Sequence, residues 1–445
     1  MKHIALLLCA LYALGATTLS AQTEPTEPAT TALRSPENTD SGLLGPRSAL
    51  VCYASREELN NGKQSSLALP LTSWQVDSLA EGVRYTTRFK RNYRYDDKEI
   101  VLRVEGATGA ISILVNDKEV GYNASAKGRS EFDLTKKLVP NNNTISICVH
   151  RNYAAQAIEA ESNSTPSFER ATLLTPPRVA VADAVVATRM NKQGDGLMSL
   201  GVVMQSFLLN SKDYNLYLEL YDPEGKMVSR ANKELTTRML SRDTVNFHAR
   251  IPAIKSWSPK EANLYKLVIY TRHENRIKEF TSTHIGFRTV EVKDGQLVLN
   301  GNNQTIAATL FPTDTPAADE EKLIGQLQKE GYNLLFVARP RSDEFYSLCD
   351  RMGMMVCSSA DISCPENTAQ NTPSNNPDWK KSYLTRTTSA YHATKIHPSV
   401  VMFSIGHKAQ NGICLYESYL AMKAIEGESR PIVYPDANGQ WNSDL

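Results

Sequence analysis

Apolar and polar positions alternate with a period of two through most of the chain and change to a helical period in its last third. Runs at 100–105 (IVLRVE), 110–115 (AISILV), 119–122 and 144–150 (TISICVH) are β-branched and alternating, with Gly, Asn and Asp turns between them, including Asn116-Asp117. Such runs read as short, half-buried strands. Many short strands joined by turns predict an antiparallel sandwich. A second set at 197–205, 214–221, 244–251 and 264–271, with a turn at Asp222-Pro223-Glu224-Gly225, predicts another β domain. Beyond residue 289, helical patterns at 323–330, 344–352 and 412–426 alternate with apolar strands at 334–337, 354–356 and 400–404. That order predicts a parallel α/β unit.

The N-terminus has a different character. Residues 1–21 carry a short basic start (Lys2, His3), an apolar stretch over 4–14, and small residues (Ala16, Ser20, Ala21) before Gln22. This is the physics of a secretory signal, so the chain is expected to be exported to the periplasm, the cell surface or the medium. Cys9 lies too early in the apolar stretch for lipidation, and no later run is long and apolar enough to span a membrane. Residues 22–48, rich in Thr, Pro, Glu and Ser, read as a disordered tether.

Net charge is +1, which gives no argument for nucleic acid or an acidic membrane as partner. Removing Cys9 leaves Cys52, Cys148, Cys349, Cys357, Cys364 and Cys414. An even set in an exported chain permits disulfides, and buried free thiols fit at least as well. Their spacings match no zinc pattern.

Residues 396–412 read IHPSVVMFSIGHKAQNG. A buried strand, polar residues at its tip and then a helix is the position where α/β barrels place catalytic groups. The stretch resembles family 2 glycoside hydrolases, the β-galactosidase and β-glucuronidase group. That family writes Asn-His-Pro-Ser-Ile, a strand, then Ser-Leu-Gly-Asn-Glu, whose Glu is the general acid/base. His397, Pro398, Ser399, Ser404 and Gly406 match, whereas His407 and Lys408 replace the Asn–Glu pair.

The resemblance extends over most of the chain. Val115, Asn116, Lys118, Gly121, Phe132, Asp133, Thr135 and Leu138 match the family's N-terminal jelly roll. Trp257-Ser258-Pro259, Leu264-Tyr265 and Gly286-Phe287-Arg288 match its immunoglobulin-like domain, read as core and docking residues. The expected architecture is multidomain β plus α/β. A signal peptide (1–21) and linker (22–48) precede a jelly-roll β-sandwich (49–178), an immunoglobulin-like β-sandwich (179–288) and a partial (β/α)8, or TIM, barrel (289–445). About five of eight barrel strands are read, and the family's nucleophile Glu lies downstream of the sequence.

At each strand end the resemblance implies lost chemistry. The polar segment after the first strand aligns with 307–312 (AATLFP), and the next with 335–340 (LFVARP), where Arg339 falls near a lost His. After the third, only Asp361 could ligate, so no metal and no cofactor are expected. Retaining hydrolysis needs two carboxyls about 5–5.5 Å apart. Lys408 holds its proton to about pH 10 and cannot become an anionic base. His407 is the only side chain at that tip able to shuttle protons at neutral pH.

The leading expectation is therefore an exported β-galactosidase-like chain without a catalytic pair. It would serve as a carbohydrate- or protein-binding module, with Arg339, Asp361 and His407 as candidate binding residues. The competing reading is an active O-glycosyl hydrolase of β-galactosides or β-glucuronides with a displaced acid/base, Asp361 or Glu366. A third reading is a structural protein whose open barrel edge docks a protein partner or a second copy.

Overall fold

The computed structural model describes residues 30–445, apart from Lys63, Ala126, 160–164, 365–371 and Glu428. The signal segment and Glu366 lie outside these residues.

Asn116 and Asp117 take φ of 52° and 60° and close a two-residue hairpin with Val115 opposite Lys118. Asn and Asp tolerate this left-handed backbone, and the turn matches the twist of its strands. The hairpin belongs to a six-stranded sheet that faces a four-stranded one, forming the first sandwich. Phe132 and Leu138 are buried in its core, as expected.

The second sandwich packs a three-stranded sheet on a five-stranded one. Gly286 sits where it meets the third domain. A Cβ there would lie 2.7 Å from side-chain carbons of both Pro398 and Trp257, so only glycine allows the approach.

The third domain holds a five-stranded parallel sheet: β1 (Ala308–Leu310), β2 (Leu334–Val337), β3 (Met355–Ser359), β4 (Val400–Ser404) and β5 (Ile432–Val433). Helices α1 (Glu320–Lys329), α2 (Asp343–Met352), α3 (Lys380–Thr394) and α4 (Ile413–Glu426) alternate with the strands. One sheet face packs on these helices. The other packs on Trp257 and on Val290, Leu297 and Leu299 of a hairpin before β1. At β4 the pairing steps from Val400 to Met402, which leaves Val401 as an extra residue.

Two boundaries differ from expectation. Residues 30–48, read as disordered, are ordered against the sandwiches. Leu33 is buried, Asp40–Ser41 pairs with residues 122–123, and the Ser48 amide donates to Asp183 Oδ1 over 2.9 Å. Composition undervalued them because a free sheet edge supplies backbone partners whatever the side chains. Val51–Tyr53, assigned to the jelly roll, instead pairs with the Arg276–Ile285 strand of the second sandwich.

The six cysteines within the described residues are free thiols, and all but Cys52 are buried. Among the described residues no helix is long and apolar enough to cross a membrane.

Candidate functional site

The C-terminal ends of β1–β5 define the site. After β4 the backbone is pinned at every step. The Ser404 hydroxyl donates to Gly406 O over 2.8 Å, and the His407 amide donates to Ile362 O over 3.0 Å. The Lys408 amide donates to Asp436, and Lys408 O accepts from the Cys364 amide at 3.2 Å. Lys408 takes φ of 47°, and its side chain is exposed, with no ion pair among the described residues. The position that the resemblance gives to the acid/base therefore carries a cation turned to solvent.

His407 is half-buried, with its ring edge-on to Phe336 at a centroid distance of 5.5 Å. Its Nδ1 has no partner among the described residues. Burial, then Lys408 and Arg339, lower its pKa against the opposing pull of Asp361 and Asp436. The imidazole is thus neutral at neutral pH.

Asp361, expected as a binding residue, belongs to a buried ion cluster. Its Oδ2 lies 3.4 Å from Lys127 Nζ and 3.5 Å from Arg386 Nη1. Both cations also hold Glu159: Lys127 Nζ at 2.6 Å from Oε2, and Arg386 through Nη2. The Tyr153 hydroxyl donates to Glu159 Oε2 over 2.7 Å. Burial pushes Glu159 up, but Arg386 and Lys127 outweigh it and hold the carboxyl below its usual range.

Two carboxylates thus sit near the barrel mouth, but two cations fill the gap between them. The void beside this cluster has a volume of about 50 Å³, room for little more than a water or two. Such carboxylates cannot alternate between acid and base without a charge being left unpaired in the interior. Asp361 is held by Lys127 of the jelly roll and by Arg386, the two cations that also bind Glu159. Sequence reading missed both partners; in the structure the Ala154–Ile158 turn sets Glu159 in place, with Ile158 buried in the barrel core.

His397, part of the matched motif, is also structural. Its Nδ1 lies 2.7 Å from Asp350 Oδ2 and its Nε2 lies 3.1 Å from Asp343 Oδ1. Burial pushes the imidazole down, but Asp350 and Asp343 win and raise it to about 10.

A cleft of about 580 Å³ opens at the ends of β1 and β2, facing the jelly roll. Arg339 lines it, half-buried and without a partner among the described residues. Glu169 and Asp314 also line it, while Arg341 is held by Glu320 at 2.6 Å. Arg339 thus lines an open cleft with a guanidinium that has no partner among the described residues, whereas His407 is not among the residues that line it.

Comparison with known proteins agrees with this architecture. Three models match in chain order: "Glycosyl hydrolases family 2, sugar binding domain" over residues 64–171, "Glycosyl hydrolases family 2" over 179–288, and "Glycosyl hydrolases family 2, TIM barrel domain" over 327–444. The β-galactosidase of Priestia megaterium is 25% identical over 372 residues, covering 79% of this chain and 36% of the relative. That of Vibrio vulnificus is 27% identical over 350 residues, covering 74% and 33%. The chain thus spans about a third of the length of the curated relatives it matches. Among solved structures, a β-glucuronidase of Bacteroides uniformis superposes with a TM-score of 0.69 at 16% identity, covering 80% of this chain and 46% of that one. A β-glycosidase of Bacteroides vulgatus gives 0.69 at 18%, covering 81% and 47%. With both sandwiches and the barrel matched in order, the chain belongs to glycoside hydrolase family 2.

Proposed function

We propose that this chain is an exported, non-catalytic member of the family that binds carbohydrate in the cleft at the ends of β1 and β2. The observation that carries this reading is the charge arrangement at the β4 tip. An exposed Lys408 stands at the acid/base position, and the nearby carboxylates, Asp361 and Glu159, are bound to Arg386 and Lys127. A positioned acid/base contributes roughly 10²–10⁴-fold to rate, so its replacement by a lysine removes most of the chemistry. The cleft keeps what binding needs: a half-buried Arg339, unpaired among the described residues, with Glu169 and Asp314 in the same lining. Guanidinium and carboxylate groups offer paired donors and acceptors that match vicinal hydroxyls or a sugar acid.

The relatives are named β-galactosidase and β-glucuronidase. Aryl β-galactosides and β-glucuronides are therefore the assay, and no turnover above blank is expected. Turnover that disappears in His407→Ala would overturn the non-catalytic reading. For binding, a glycan array probed with the full chain is expected to give hits that Arg339→Ala weakens at least several-fold. Hits insensitive to Arg339→Ala would remove the cleft as the binding site.

A further inference from the structure

A second cleft, of about 950 Å³, separates the immunoglobulin-like sandwich from the barrel. Its lining is cationic: Arg189, Arg250, Arg288, Lys395 and Arg430, against the carboxylates Glu291 and Glu426. Several of these charges are already matched. Arg250 Nη2 lies 2.5 Å from Asp195, Lys395 Nζ lies 2.6 Å from Asp183, and Arg430 Nε lies 2.5 Å from Glu426. Lys293 holds Glu291 at 2.9 Å.

Two cations are left over. Arg189 is exposed and makes no ion pair among the described residues. Arg288 is the sharper case. Its Nη2 donates to Val400 O over 2.8 Å, its Nε is buried without a partner among the described residues, and no described carboxylate lies within ion-pair distance. Burial and neighbouring Arg430 push this group down to about 9, with Glu426 and Asp350 only partly opposing. A half-buried guanidinium without a described counter-ion is costly, and the charge and planar geometry of the group match an oxyanion.

We propose that this cleft is an oxyanion-binding site, in which Arg288 and Arg189 take a carboxylate or sulfate group. The anion comes either as a free ion or as the charged substituent of an acidic saccharide. The site is separate from the Arg339 cleft and does not depend on the reading given for that one.

The test is thermal stabilisation of the full chain by sodium sulfate, by glucuronate and by glucose, at fixed ionic strength. A ligand that binds only the folded state stabilises it in a saturable way. Saturable shifts with sulfate and glucuronate, and none with glucose, are expected. Sulfate alone would identify a free-ion site; glucuronate at lower concentration than sulfate would identify a saccharide site. Arg189→Ala is expected to weaken the apparent affinity several-fold, and Arg288→Lys tenfold or more. Lys192→Ala, exposed and outside the cleft, should leave it unchanged. If Arg288→Lys does not fold, Arg189→Ala decides. No saturable response to either anion, or wild-type affinity in Arg189→Ala, would overturn the proposal. So would loss of the response in Arg339→Ala, which would place the anion in the other cleft.

Discussion

At the residue scale, Arg386 is the side chain on which the barrel mouth depends. It holds Glu159 of the jelly roll and Asp361 of the barrel at once, and its Nη1 also donates to Asp361 O over 2.8 Å. Replacing one partner of a buried ion cluster leaves the opposite charge uncompensated, at a cost of about 3–5 kcal/mol. Arg386→Met is expected to lose that much in urea unfolding, and Arg386→Met with Glu159→Gln to recover part of it. A double variant no better than the single one would mean that the charges do not interact as drawn. Titration gives a second check. His397 is raised from 6.5 to about 10, so its contribution is complete below pH 6.5 and is lost as pH rises towards 10. Buried Glu279, next to the Cys52 thiol, is raised by burial from 4.5 to about 7, which also favours the folded state at lower pH. The Glu279 contribution should therefore be lost between pH 4.5 and about 7 and the His397 contribution between pH 6.5 and about 10, and His397→Gln should flatten the upper part of that fall. An equal slope in the variant would assign the alkaline loss to other groups.

At the scale of elements, α2 shows how tightly the domains constrain one another. Its cap, Gly353, takes φ of 68°, and a Cβ there would lie 2.4 Å from Pro259 O of the second sandwich. Left-handed backbone alone costs a non-glycine residue about 1–2 kcal/mol. With the clash added, Gly353→Ala is expected to lose more than about 2 kcal/mol, whereas an alanine at open Gly331 should lose less. Much of this level was legible in advance. The 334–337 and 400–404 strands matched because apolar, β-branched runs have few alternatives to a buried strand. Helix α3 was not read. Its buried face, Ser382, Tyr383, Arg386, Thr387, Ala390, Tyr391 and Thr394, has helical spacing but mostly polar residue types. Those groups are buried because they are satisfied. The Thr387 hydroxyl donates to Tyr383 O over 2.8 Å, Thr394 to Ala390 O over 2.9 Å, and Arg386 reaches carboxylates. The site was legible to the same degree. Arg339, His407 and Lys408 could be placed by strand-end position, but the fate of Asp361 depends on Lys127 and Glu159, which only the folded chain brings near.

At the scale of the molecule, the sandwiches and the barrel are tied by buried side chains as well as by the exposed Arg170–Glu344 pair, so they should unfold as one unit. Trp257 is one tie between the second sandwich and the barrel. It is fully buried, its indole N–H donates to Asp350 O over 2.9 Å, and its ring packs with the hairpin residues and with Met355, Cys357 and Met402. Trp-to-Ala changes at such sites cost about 3–5 kcal/mol. Because the lost contacts cross a domain boundary, the loss should appear as reduced coupling as well as reduced stability. Trp74 is the control. It packs on Tyr85 and Phe168 within the jelly roll, with ring centroids 6.5 Å and 5.3 Å away. Calorimetry of the native chain is expected to give one cooperative transition. Trp74→Ala should shift that transition down without splitting it. Trp257→Ala should split it, with the barrel melting before the second sandwich. If both variants gave a single, equally shifted transition, Trp257 would be an ordinary core residue and the second sandwich and barrel would be held together elsewhere, the buried Lys395–Asp183 pair being the next place to look.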